Sequence, residues 1–318
     1  MSFVTIDCID RTFEELQIFV GMQDSNLLAL RDEFKTSILI RSQQIKILDK
    51  EEQDVDVITN AIASCFDLID TQRKLTTQDV HYICRLAKKK SLQDFKVHQL
   101  LPIAKTKAGK MIYPKTLGQA LLCDAMKHNS IVFSTGVAGT GKTYLAVAYA
   151  VSMLKQEKVE KIILTRPAVE AGESLGFLPG DMKEKVDPYL RPLYDALHEM
   201  LGVETVEKYL EKEIIEIAPL AFMRGRTLNN AIVILDEAQN TTSAQMKMFL
   251  TRMGKNTKLI ITGDVTQIDL VKKQDSGLTQ ACDILKGINE IEIVHLKNSD
   301  VVRNPLVQKI IERYALVE

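Results

Sequence analysis

Eight residues restrict this chain more than any others: Gly136-Val137-Ala138-Gly139-Thr140-Gly141-Lys142-Thr143. They fit the pattern G-x-x-x-x-G-K-[ST], and they lie between a short apolar run, IVFST (131–135), and a helical stretch, 143–154. A strand entering a glycine-rich turn and then a helix wraps backbone N–H groups around a phosphate, at the positive end of the helix. The spacing predicts that Lys142 bridges the β- and γ-phosphates and that the Thr143 hydroxyl holds magnesium. Against a chance match in a glycine-rich turn, the strand–loop–helix context favours binding of ATP or GTP.

Downstream of the loop the same texture repeats. KIILT (161–165), IIEIA (214–218), AIVIL (231–235), KLIIT (258–262) and IEIVH (291–295) are short apolar runs separated by helical segments. Runs without alternation suit strands buried on both faces, and their alternation with helices predicts an α/β fold with a mainly parallel, doubly wound sheet. Two of these strands end in chemistry. AIVILDEAQ delivers Asp236 and Glu237 to the carboxyl end of a buried strand, where open α/β sheets bind ligands. Asp236 is expected to bind magnesium through water and Glu237 to polarise an attacking water. Without the loop upstream, two acids there would read as a helix cap. LIITGDVTQID ends a second strand at Gly263-Asp264, and Gln267 follows, placed to sense the γ-phosphate or the attacking water.

The first hundred residues read differently. ELQIFV (15–20) looks like a short strand, Ser25 to Phe34 a helix, SILIR and QQIKIL a pair of strands, and Val55 to Asp70 a long helix. Thr76-Thr77-Gln78-Asp79 resembles a helix start. That order is similar to a small RNA-binding α/β module of the KH type, although Gly21-Met22-Gln23-Asp24 lacks the second glycine of the KH loop. A packing or oligomerisation domain is the competing reading.

Residues 88–118 hold eight lysines, and the window 101–130 has a net charge of +4 within a chain of net charge -1. A solvated linker is one reading; a phosphate-contacting hairpin bearing Lys105, Lys107 and Lys110 is the sharper one. The near-zero net charge excludes a strongly basic nucleic-acid binder, and 46% hydrophobic residues exclude a disordered chain. Five scattered cysteines, none spaced Cys-x-x-Cys, point to free thiols in a reducing cytoplasm. The acidic start MSFVTIDCIDRTFEE does not suit a signal peptide, and the apolar stretch from Ser130 to Leu154 carries Lys142 and three glycines, unlike a membrane span. The five histidines have no metal-ligand spacing. Met246, Met248 and Met253 read as core, and Glu204 to Glu216 as a solvated helix face.

Together with TRPAVEAGESLGFLPGDMKEKVDPYLRPLYDAL, PLAFMRGRTLNNAIVILDEAQNTTSAQMKMFLTRMG and SDVVRNPLVQKIIERY, these motifs resemble the PhoH family over about residues 115 to 314. The family comprises phosphate-starvation-inducible, PhoH-like bacterial ATPases related to the core of superfamily 1 helicases. The resemblance implies a RecA-like core and further roles. Gln119 would read adenine, favouring ATP over GTP, and Arg303 would meet the γ-phosphate. It also implies coupling to RNA, and a link to RNA-processing nucleases of the YbeY endoribonuclease type. Asn304 and Val271 stand where the family usually has histidine and proline.

The expected organisation is a KH-like domain over 1–90, a basic linker or hairpin over 91–118, and a RecA-like P-loop ATPase domain over 119–318. The chain has room for one RecA-like lobe, so the missing wall of the site is expected from a neighbouring subunit of a ring, with a hexamer as the natural number. Arg303 is the first choice for a finger in trans; Arg224, Arg226 and Arg252 are weaker ones. The expected activity is magnesium-dependent ATP hydrolysis coupled to RNA binding, remodelling or unwinding in the cytoplasm. The alternatives are an ATP-switched adaptor of a partner ribonuclease and a P-loop kinase for a small metabolite.

Overall fold

The computed structural model describes residues 3–48, 52–92, 101–167, 182–270, 276–302 and 313. The chain divides into two compact units, the first built on residues 1–100 and the second spanning Leu101–Arg303.

In the first unit, β1 (Phe3–Asp7), β2 (Ile38–Arg41) and β3 (Gln44–Leu48) form an antiparallel sheet in the order β1-β3-β2. The helices are α1 (Phe13–Val20), α2 (Ser25–Phe34), α3 (Glu52–Gln72) and α4 (Thr77–Lys88). One sequence reading is corrected here: ELQIFV is not a strand but lies in α1. Thr12 and Glu15 form a reciprocal capping box, and Leu16 and Phe19, three apart, are buried. The first strand is the preceding Phe3–Asp7. Gly21-Met22-Gln23-Asp24 therefore joins two helices, and Gly21 stands at φ +78°, where an added Cβ would lie 2.7 Å from Ser25 Oγ. Thr76 caps α4 through a box with Asp79, as its sequence predicts.

The second unit opens with a two-stranded hairpin, β4 (Ala104–Lys105) and β5 (Met111–Ile112). There follow α5 (Leu117–His128), β6 (Ile131–Gly136), α6 (Lys142–Lys155), β7 (Lys161–Arg166), α7 (Met182–Leu201) and α8 (Val203–Glu211). The unit continues through β8 (Ile215–Pro219), β9 (Ala231–Leu235), α9 (Ser243–Leu250), β10 (Lys258–Gly263), α10 (Gly277–Ile284) and β11 (Ile291–Leu296). The strands of the sheet match the six apolar runs to within a residue or two. All six are parallel, in the order β11-β6-β10-β9-β7-β8.

Each sheet face is covered, which explains the continuous apolar runs. Ile162, Ile232, Ile234 and Ile260 pack against α5, α6, α7 and α8 on one side. Phe133, Val233, Leu235 and Ile261 pack with Met246, Phe249 and Leu278 of α9 and α10 on the other. The unit is a doubly wound α/β P-loop NTPase core. Its topology has one consequence for the site: β10 stands between the loop strand β6 and the acidic strand β9, so groups that act together come from three adjacent strand ends.

Candidate functional site

The loop from Gly136 to Thr143 joins β6 to α6, and two of its glycines are required by shape. At Gly136, φ is +143° and a Cβ would lie 2.3 Å from the carbonyl oxygen of Leu296 on β11. Gly141, at φ +81°, starts α6 beside the Gln119 side chain. Lys142 is buried, and its ammonium donates to the carbonyls of Gly136 (2.6 Å) and Val137 (2.9 Å) and to Thr140 Oγ1 (3.3 Å). The charge is thus held by loop oxygens at the helix N-terminus, from which it can exchange to phosphate oxygens. Gln119 is buried on α5 and braces the loop: its Nε2 donates to Thr140 O at 2.9 Å, and its Oε1 accepts from the Lys115 amide at 2.7 Å.

Asp236, just past β9, is the hub of the site. Its Oδ1 accepts from Thr143 Oγ1 (2.7 Å) and from Thr262 Oγ1 of the intervening β10 (2.6 Å). Its Oδ2 accepts from Arg166 Nε (2.9 Å) and Nη2 (2.5 Å), from the end of β7. Glu237 follows in a left-handed backbone conformation, φ 54°, that swings its side chain away from the strand direction. Its Oε2 accepts from Gln239 Nε2 at 2.7 Å. The same amide donates to Gln267 O (3.1 Å), and Gln239 Oε1 accepts from the Asp264 amide (3.0 Å). A single buried glutamine therefore ties the acidic motif to the Gly-Asp-x-x-Gln motif.

These residues line one cleft of about 520 Å³, with Gly139, Lys142, Thr143, Arg166, Asp236, Glu237, Asp264 and Gln267 around it and Tyr144 and Glu199 at its side. Tyr144 donates to Glu199 Oε1 at 3.0 Å, and burial followed by that contact pushes its hydroxyl above the ordinary phenol range. The donors fit magnesium in kind: a hydroxyl and carboxylates, all hard oxygens, which that ion combines with phosphates rather than with an all-protein cage. Asp264 Oδ2 is buried without a hydrogen-bond partner among the described residues, an acceptor left for a cation or its water. No cluster of three or more acidic, cysteine or histidine ligands occurs among the described residues.

Of the residues singled out from sequence, Gln119, Gly139, Gly141, Lys142, Thr143, Asp236, Glu237 and Gln267 are thus brought together. Arg303 lies outside the described residues. The segment leading to it is anchored, since Asp300 accepts from the Gly118 amide (3.1 Å) and the Val302 amide donates to Gly139 O (3.0 Å). Among the weaker arginines, Arg226 forms a bidentate pair with Glu216, Arg252 bonds to the Met248 and Arg226 carbonyls, and Arg224 is exposed. Lys105, Lys107 and Lys110 are exposed on the hairpin, apart from the cleft lining. Arg166, Gln239 and Asp264 belong to the site without having been assigned roles from sequence. Their one signal was position: each sits at or just beyond the carboxyl end of a buried strand.

Met246 is buried and Met248 and Met253 are half-buried, as packing predicts, whereas Glu204 to Glu216 is not one helix face: α8 ends at Glu211 and Glu216 lies in β8. The five cysteines are free, and burial lifts the thiols of Cys84 and Cys123 to about 12. No helix among the described residues is long and apolar enough to cross a membrane.

The family model described as PhoH-like protein matches residues 111–315. A PhoH-like protein of Bacillus subtilis is 54% identical over 301 residues, covering 95% of this chain and 94% of that protein. One from Mycobacterium tuberculosis H37Rv is 48% identical over 300 residues, 94% of this chain and 84% of its own length. Protein PhoH of Escherichia coli K12 is 48% identical over 193 residues, 60% of this chain and 54% of that protein. With the matched region holding the phosphate loop, both acidic strand ends and the cleft between them, the chain belongs to the PhoH family of P-loop proteins.

Proposed function

We propose that this protein is a magnesium-dependent ATPase whose turnover is coupled to RNA in the cytoplasm. One observation carries the hydrolytic part: the Thr143 hydroxyl bonds Asp236 across the sheet while Glu237, 46% exposed at its side chain, opens into the same cleft as the loop. The loop amides and Lys142 bind the β- and γ-phosphates, and Gln119, which braces the loop, is the residue that the family resemblance favours for reading adenine. Thr143 and Asp236, with Asp264 behind them, would hold magnesium, which when bound offsets phosphate charge. Glu237 takes the proton of the attacking water as the γ-phosphate bond breaks. Gln267, tied to Glu237 through Gln239, reports the terminal phosphate to the rest of the core.

The hairpin supports the RNA part. Lys105 and Lys107 lie close enough to Lys155 to lower its pKa, after the larger effect of its burial, so positive charge is concentrated there. The Lys107 amide donates to Glu199 O at 3.0 Å, and the Glu199 side chain accepts from Tyr144 at the cleft. A phosphate backbone held by the lysines therefore has a short bonded route to the nucleotide. A single lobe leaves the γ-phosphate open on one side, which favours a ring of subunits, a hexamer in our reading, with Arg303 supplied across the interface. A YbeY-type endoribonuclease is the partner that the family resemblance favours.

Phosphate release measured with and without a panel of RNAs and single-stranded DNA tests this. Stimulation by RNA over DNA is expected. Turnover indifferent to every nucleic acid would favour the adaptor reading, in which ATP switches shape for a nuclease. Absence of phosphate release without a small acceptor would favour a kinase.

A further inference from the structure

Arg166 is the cationic side chain of the cleft that the scheme above leaves without a task. It ends β7, whose Thr165 pairs with Leu235 of β9, and the Asp236 amide donates back to Thr165 O at 2.9 Å. That register puts its guanidinium beside the acidic motif. The side chain is only 14% exposed, makes two N–H contacts to one oxygen of Asp236, and brings Nη2 to 3.9 Å from Glu237 Oε1. It lines the cleft together with Gly139, Lys142 and Thr143.

Asp236, Glu237 and Asp264 line this cleft beside the loop, with Asp195 and Glu199 at its side, and the Lys142 ammonium donates to loop oxygens. Arg166 is therefore the counter-ion that keeps the first two compatible. A magnesium ion served by Asp236 changes that balance. With magnesium held by Asp236 the guanidinium would lose its partner, and a terminal phosphate in the same cleft would offer an anion that its planar N–H fork matches in two-point geometry. The β-phosphate of a diphosphate would be cradled by the loop amides and by Lys142 once its ammonium exchanges from the loop carbonyls, so the terminal phosphate is the group that distinguishes the two nucleotides.

We propose that Arg166 is a two-position residue: it bridges Asp236 and Glu237 without nucleotide and moves to the terminal phosphate of a magnesium–nucleoside triphosphate, so that the chain tells triphosphate from diphosphate in cis. The proposal rests on the nucleotide reading above. Its departure from Glu237 also frees that carboxylate to meet water, so triphosphate binding and readiness of the base become one event. Arg166 differs in this from a finger supplied across a subunit interface, because its effect does not depend on assembly.

The test is the affinity ratio between AMP-PNP and ADP, each with magnesium, measured by calorimetry on the full chain. Wild type is expected to favour AMP-PNP. Arg166→Gln should weaken AMP-PNP by about 10- to 100-fold, as loss of a charge-assisted pair does, and leave ADP within about twofold. Arg166→Lys should retain part of the preference, since it keeps the charge and loses the fork. Equal weakening of both nucleotides would mean that Arg166 merely supports Asp236, and unchanged affinity for both would mean that it never reaches the phosphate; either overturns the proposal. If Arg166→Gln does not fold, the ratio in Arg166→Lys decides by the same criteria. A wild-type chain that binds neither nucleotide would overturn the nucleotide reading itself, before any variant is compared.

Discussion

Replacing Glu237 with glutamine is the most discriminating single change at this site, because the structure separates what it removes from what it leaves. Glu237 is 46% exposed at its side chain and accepts from Gln239 Nε2 at 2.7 Å. A glutamine of the same shape keeps an acceptor oxygen for that contact and shares the same cost at φ 54°. Folding stability should therefore change by no more than about 0.5 kcal/mol, the scale of an exposed substitution. On the proposed reading nucleotide is held by the loop, Lys142, Thr143 and, at the terminal phosphate, Arg166, and removing the charge that Arg166 faces at 3.9 Å favours binding slightly. What disappears is the proton acceptor. A positioned general base is worth about 10²- to 10⁴-fold, so the barrier should rise by roughly 3–5 kcal/mol. Phosphate release and ATP binding, measured on the same preparation, read the two effects apart. Turnover within about threefold of wild type would refute the assignment. Asp264→Asn would then be the next variant, since that buried carboxylate has the cleft's other uncommitted oxygen.

Three further outcomes are expected. Replacing Lys105, Lys107 and Lys110 together with alanine should weaken RNA binding and reduce the slope of log affinity against log salt by up to ~2, because each contact to a single strand releases counterions; an unchanged slope returns the hairpin to a plain linker. An Arg303→Ala chain should bind ATP yet turn it over slowly, and mixing it with the Glu237→Gln chain should restore activity if the finger acts in trans, whereas a finger in cis gives no rescue. Burial holds the Lys258 ammonium down at about 8, against an ordinary value of 10.5. The unfolded chain thus binds more protons than the folded one between these values, so stability contributed by this group should rise with pH from about 8 to 10.5. The difference in melting temperature between wild type and Lys258→Met should follow that window, and a difference flat across it would count against a charged, buried Lys258.

The large sheet was legible because a strand buried on both faces has to be apolar throughout, and IVFST, KIILT and AIVIL admit little else. The loop was legible for a related reason: glycine is demanded at Gly136 by a neighbouring carbonyl and at Gly141 by a positive φ, so the sequence records the geometry. In the small unit the signals were weaker. Read alone, ELQIFV alternates apolar and polar residues as a half-exposed strand does. Its state was decided by Thr12, just ahead of the segment, which caps a helix from Phe13 in a box with Glu15, and by the burial of Leu16 and Phe19 on one helix face. Gln239 and Arg166 were illegible for a different reason. A lone polar residue has no spacing to mark it: sheet order, which lays β7 beside β9, brings Arg166 to Asp236, and the short helical turn after β9 folds Gln239 back onto Glu237 while β10, beside β9, presents the Asp264 amide to it.

That sheet order also bears on how the site must behave. Because β10 intervenes, Asp236 reaches the loop with the help of Thr262, whose hydroxyl bonds the same Oδ1 that Thr143 bonds. The acidic motif and the sensor loop are joined in turn through both ends of the Gln239 amide. Thr143, Thr262, Asp236, Arg166, Glu237, Gln239 and the Asp264–Gln267 loop thus form one connected set, each member sharing a partner with the next. In such a set a displacement at the phosphate cannot stay local: moving the group on either oxygen of Asp236 changes the field at Glu237, and moving Glu237 releases the Gln239 N–H that also holds Gln267. Substitutions within it should therefore combine non-additively.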